Sequence, residues 1–181
     1  DLLVSATGTS AATASLSGMT AAASGNGSTA RLEVLGDVSL VAKADASANA
    51  SLGTAGATAY GTTGLAELHI GGDLLISASA PTGDAGVSVN PLQAHASGNL
   101  ATARLQIDGD LSLVATSTGG SASVSFYALQ ATASGTSAVA EVEVGGGVLN
   151  RVHGGTAASV SSSEPGKVTT PTRKVMPGPR P

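Results

Sequence analysis

The chain has 181 residues, with eight Lys and Arg against twelve Asp and Glu, a formal net charge of −4 at pH 7. One Phe, two Tyr, no Trp and no Cys exclude a core built on aromatics, a disulfide framework and a thiolate metal site. No apolar run approaches the about 20 residues needed to cross a bilayer as a helix, so membrane insertion is not expected.

This length suits one domain with a buried core. Because Ala, Gly, Ser and Thr dominate, burial must come from backbones that approach closely around small side chains. In chain order the first residue, Asp1, falls one repeat before Asp37, Asp73 and Asp110, as the second half of a Gly-Asp corner. That phase predicts a proteolytic start or a segment cut from a longer array. The motif that sets it recurs at 30–42 (ARLEVLGDVSLVA), 66–78 (AELHIGGDLLISA), 103–115 (ARLQIDGDLSLVA) and, degraded, 140–152 (AEVEVGGGVLNRV). Its glycines Gly36, Gly72, Gly109 and Gly146 stand 36, 37 and 37 apart. A fixed period in this range marks a stacked-repeat architecture.

A second glycine series, Gly25, Gly61, Gly98 and Gly135, has the same spacing and puts the apolar residues in columns. Ala12, Ala48, Ala85 and Ala122 form one; Leu16, Leu52, Val89 and Phe126 another; Leu32, Leu68, Leu105 and Val142 a third. Within each segment the columns are two residues apart, which is the strand period. Parity slips around Gly53-Thr54, Asn90-Pro91 and Tyr127-Ala128, and again at the second glycine, so corners are predicted there. The extra residue of the longer repeats falls within 81–86 and 118–121, where turn formers cluster. Each repeat reads as about four short strands.

An antiparallel meander would make Gly-Asp a two-residue hairpin turn, but the segments flanking it differ too much in length to pair well. Stacked coils explain why each column keeps its size class. The expected fold is therefore all-β: a parallel β-solenoid (β-helix) of about four 36–37-residue coils over residues 1–150. Alanines are expected on one side of a flattened coil and larger aliphatics on the other. A Pro/Ser/Thr-rich extended C-terminal tail is expected over 151–181. That tail holds Lys167, Arg173, Lys174 and Arg180 beyond residue 165, whereas residues 1–165 hold four bases and twelve acids. The body charge of −8 argues against a nucleic-acid partner. Two readings stand for the tail: disorder, or docking along an acidic neighbouring subunit.

The outward positions supply the site candidates. Arg31, Glu67, Arg104 and Glu141 form a ladder of alternating sign, suited to setting strand register. The stacked carboxylates of Asp37, Asp73 and Asp110 can be satisfied by nearby backbone amides, or they can recruit calcium between them. His69, His95 and His153 lack ligand spacing, and the first two fall on different faces; exposed strand or loop positions are expected for them. The outward columns Ser39–Leu75–Ser112 and Thr58–His95–Thr132 are too irregular to match an ice lattice. Asn26-Gly27-Ser28 and Asn49-Ala50-Ser51 fit the N-glycan acceptor pattern. Nucleophile-elbow, Walker and zinc-protease motifs are absent, as is the tandem calcium-roll nonapeptide. No catalytic residue and no cofactor are expected, and the chain is read as non-enzymatic.

The aromatic-poor repeat with G-D-[LV]-x-[LIV]-x-A at its corner resembles the repeat regions of very large secreted bacterial surface proteins, the filamentous-haemagglutinin-like and autotransporter-like adhesins. The resemblance covers about residues 1–150, with a coil longer than the usual haemagglutinin one. It implies secretion across a Gram-negative envelope, a right-handed solenoid, and a place outside the cell or on its surface as stalk, matrix fibre or adhesin. Terminal coils normally need polar caps, and none is visible. The expected function is thus a structural subunit or segment of a secreted filament, with itself as partner in head-to-tail stacking. The alternative is a ligand-binding or stalk segment of a large adhesin, with host or matrix glycans as partners.

Overall fold

The period-two alternation that runs through the chain becomes strand after strand in the computed structural model, which describes residues 1–135 and 137–162. The first coil is β1 (Leu2–Gly8), β2 (Ala11–Leu16), β3 (Met19–Ser24) and β4 (Thr29–Val34). The second is β5 (Val38–Ala44), β6 (Ser47–Leu52), β7 (Ala55–Tyr60) and β8 (Leu65–Ile70). The third is β9 (Leu74–Ala80), β10 (Asp84–Val89), β11 (Leu92–Ser97) and β12 (Thr102–Ile107). The fourth is β13 (Leu111–Ser117), β14 (Ser121–Phe126), β15 (Leu129–Ser134) and β16 (Val139–Val144). A half coil follows, β17 (Val148–His153) and β18 (Ala157–Ser162). Helix is absent among the described residues.

Equivalent strands stack in parallel into four sheets. Sheet I is β1-β5-β9-β13-β17 and sheet II is β2-β6-β10-β14-β18; sheet III is β3-β7-β11-β15 and sheet IV is β4-β8-β12-β16. The chain is a β-solenoid, and its register follows the sequence columns. Leu32 pairs with Leu68, Leu68 with Leu105 and Leu105 with Val142. Ala12, Ala48, Ala85 and Ala122 align likewise in sheet II. The parity slips fall between sheets II and III and, at the second glycine, between sheets III and IV; the extra residue of the longer repeats falls between sheets I and II, where two residues join β5 to β6 but three join β9 to β10 and β13 to β14.

In the inner coils inward side chains are buried and outward ones are not, so strands such as β9 and β13 show the alternation in their own burial pattern. The alanines, however, do not occupy one side. Ala42 and Ala44 end β5 while Ala48 and Ala50 lie in β6, and Ala57 and Ala59 end β7 while Ala66 begins β8. They therefore line two opposite corners, where sheet I closes on II and sheet III on IV. Leu52, Leu68, Ile70, Leu74 and Ile76 fill the space between them. Small side chains let two sheets converge, and large ones hold them apart, which gives a lens-shaped section.

The solenoid also runs past residue 150. β17 continues to His153, and β18 pairs with β14 from Ser121↔Ala157 to Phe126↔Ser162. The Ser/Gly/Thr composition of this stretch reads as tail, but a parallel ladder asks of the backbone only an extended chain and N–H donors. Residues 163–181, with the tail's four basic side chains, lie outside the described residues. Asn150 takes the inward position held by Leu40, Ile76 and Leu113 in the coils below it, and its buried Oδ1 has no hydrogen-bond partner.

Candidate functional site

The Gly-Asp corner works between coils. Each Asp side chain accepts a hydrogen bond from the backbone N–H one coil onward: Asp37 N–H to Asp1 Oδ1 at 3.0 Å, Asp73 N–H to Asp37 Oδ1 at 2.9 Å, and Asp110 N–H to Asp73 Oδ1 at 2.8 Å. At the top, Gly147 N–H donates to Asp110 Oδ1 at 2.6 Å. Charge-assisted bonds of this type are among the stronger ones available to an exposed group. The preceding glycine has a steric task, because a methyl group at Gly72, Gly109 or Gly146 would strike the carboxylate of Asp37, Asp73 or Asp110 respectively. Gly36 stands to Asp1 in the same way. The calcium candidates thus each commit one oxygen to the next coil. Among the described residues no group of three or more His, Cys, Asp or Glu is placed to hold a metal.

The second glycine series does something different. Gly25, Gly61, Gly98 and Gly135 have φ of +120°, +147°, +138° and +135°, which side-chain-bearing residues rarely adopt. A methyl group at Gly61, Gly98 or Gly135 would also collide with the carbonyl of the glycine one coil below.

Sheet IV carries the charged face. Arg31 pairs with Glu67 at 3.2 Å and with Glu33 at 2.9 Å, and Arg104 pairs with Glu141 at 3.1 Å. The ladder therefore closes as two ion pairs, each linking adjacent coils. His69, on β8, joins three coils: its Nδ1 lies 3.3 Å from Glu33 Oε1 and its Nε2 3.0 Å from Asp108 Oδ2. The Asp108 hydrogen bond raises the His69 pKa above its ordinary value, with desolvation opposing and Glu33 helping. The same bond, helped by Gln106, lowers that of Asp108. This bridge was hidden in the sequence, although Glu33, His69, Gln106 and Glu143 form one outward column. His95 lies on sheet III, edge-to-face with Tyr60 at 5.9 Å, and His153 ends β17 on sheet I.

Two outward columns alternate with a period of two coils. On sheet IV the series is Arg31, Glu67, Arg104, Glu141, and on sheet I it is Leu3, Ser39, Leu75, Ser112, Leu149. Of the two sequons, Asn49 lies outward on β6, and Asn26 Oδ1 accepts from Thr62 Oγ1 at 3.0 Å at a corner.

Both ends of the stack are open among the described residues. Val38, Leu74 and Leu111 are wholly buried, whereas Val148 in the same column is 50% exposed. Leu68 and Leu105 are 2% and 0% exposed, and Val142 above them is 44%. Sheets I and II stand one strand above III and IV at the upper end. No protein-family model matches the chain, and no curated protein or solved structure matches it.

Proposed function

We propose that the chain is a non-enzymatic structural unit, a subunit or segment of a secreted extracellular β-solenoid filament extended by end-to-end stacking of coils. The observation that carries this reading is the exposure of Val142 and Val148 at the upper end, in columns whose inner members are buried. A further coil would bury these side chains and pair the edges that β15 to β18 leave free among the described residues, and solenoid ends otherwise need caps. Secretion and a place outside the cell rest on the resemblance of the corner repeat. Negative-stain micrographs and light scattering of the concentrated chain test the proposal. Filaments are expected from the parent chain and short stubs from a Val142→Lys/Val148→Lys variant of unchanged circular dichroism. A parent chain that stays monomeric at high concentration overturns it.

A ligand-binding segment of a larger adhesin is the second reading. It is favoured by the half-exposed Tyr60 ring against His95 on sheet III, beside the neutral column Gly56, Gln93, Gln130. Aromatic faces flanked by amides suit glycans. On this reading Tyr60→Ala abolishes binding to a glycan array at one patch while leaving the coils intact.

A further inference from the structure

The outer face of sheet I is unlike the other three. Each of its five strands presents one large aliphatic side chain: Leu3, Val41, Leu75, Val114 and Leu149. Register puts Leu3, Leu75 and Leu149 in one column and Val41 and Val114 in the next, two residues further along the strand. Serines occupy the complementary squares: Ser39 and Ser112 in the first column, Ser5 and Ser77 in the second. The result is a checkerboard over the lower four rungs, with one knob per rung and a shallow hole beside it; on the fifth rung Arg151 stands beside Leu149. The outward columns of sheets II and III carry no Leu, Ile or Val, and sheet IV is charged, with outward aliphatics at Leu65 and Val139 on two of its four strands.

We propose that this face docks a second copy of the chain, face to face, about a two-fold axis that runs parallel to the solenoid axis between the two columns. Such an axis exchanges the columns within each rung. Leu3 then lies over the second copy's Ser5, Val41 over its Ser39, Leu75 over its Ser77 and Val114 over its Ser112. On the lower four rungs every knob meets a hole, and on the top rung Leu149 lies over the second copy's Arg151; each contact occurs twice, as an isologous interface requires. The same operation sets the column containing Lys43, two residues beyond Val41, against the column of exposed Asp37, Asp73 and Asp110, two residues before Ser39, Leu75 and Ser112. Charge is therefore complementary on both flanks of a centre that is uncharged over its lower four rungs and carries Arg151 on the fifth.

The area suits a pair that grows stronger with length. Seven-residue strands of ~23 Å and five rungs of ~4.8 Å give roughly 550 Å² per copy, at sheet separations of about 10 Å. Doubled, this is at the low end of specific interfaces, and every added coil enlarges it. Because the axes of the two copies run in the same direction, side-by-side pairing leaves the ends free. It stands independently of end-to-end stacking.

Sedimentation velocity tests the proposal on three forms of the chain, with micrographs recording fibre width. The parent is expected to dimerise, and Val114→Lys to raise the concentration for half-dimerisation at least about tenfold, since it opposes two lysines across the axis. Ser112→Glu alone is expected to weaken pairing similarly, and an equimolar mixture of the two variants to restore it, because residue 114 faces residue 112. A parent that remains monomeric and forms only single-width fibres overturns the proposal, as does a Val114→Lys chain that pairs like the parent. A mixture that stays unpaired overturns the two-fold arrangement. Loss of fibres with pairing retained would instead count against end-to-end stacking alone.

Discussion

Truncating one column rung by rung separates a stacked coil from any other packing of these strands. Leu32, Leu68 and Leu105 occupy equivalent places in successive coils, so Leu→Ala removes the same atoms each time. At Leu68 and Leu105, with coils above and below, the void cannot collapse or fill with water, and each change is expected to cost about 3 kcal/mol. Leu32 is only partly buried, on the lowest rung, where solvent fills the gap. There the loss is mainly transfer free energy, about 1 kcal/mol. Urea titration followed by circular dichroism, on chains dilute enough to be single, should show this gradient. In assembled chains the gradient should vanish, with Leu32→Ala costing as much as Leu105→Ala. Equal costs at all three positions in the dilute chain would refute the stacked-rung account, and a gradient that persists in assembled material would refute end-to-end burial.

Asp73→Ala leaves the Asp110 amide without its acceptor and should cost about 1–2 kcal/mol by chemical denaturation, whereas Asp73→Asn, which keeps an oxygen there, should cost less. Gly98→Ala, strained in φ and driven into the Gly61 carbonyl, should destabilise by more than about 2 kcal/mol; Gly25→Ala, with open space around it, should cost about 1 kcal/mol, as thermal melts would show. Replacing Asn150 by Leu removes an unpaired buried oxygen and extends the Leu113 column, so a gain of about 1 kcal/mol is expected in urea midpoint measurements. The His69 bridge has a defined pH window. The raised His69 pKa means its contribution is complete below 6.5 and is lost as pH rises through the higher folded value. The lowered Asp108 pKa means its contribution is present above 3.8 and is lost as pH falls through the lower folded value. Relative to His69→Gln, the parent should therefore gain more stability at about pH 5 than at about pH 8.

The solenoid was legible because two independent periodicities agree: period two along each strand, and 36–37 residues between strands. Together they fixed the partners of Leu68 and Ala48 without any knowledge of the sheets. The lens-shaped section was not legible. Alternation says that Ala57 and Leu68 both point inward, but which sheets converge depends on summing side-chain sizes across a corner. The Asp column was legible, and so was its need for an amide donor. Its donor, however, belongs to the next coil, and the sign of this is the glycine before each corner, which leaves room for the Asp of the coil below. His69 reads as an exposed strand or loop residue when histidine spacing is weighed without the outward column that sets it beside Glu33. The end of the array at residue 150 was misplaced because side-chain content, not backbone pairing, marked it.

The aspartate corner has a consequence for how the chain winds. Each carboxylate reaches in one direction only, towards the coil made later, and meets an amide that exists only if 36 or 37 residues have been laid down since the last corner. The one-residue difference between coils is taken up between sheets I and II, away from this corner. Every corner thereby ties a coil to its predecessor as a ratchet tooth holds its pawl, so the registration of the rod is carried by one carboxylate per turn.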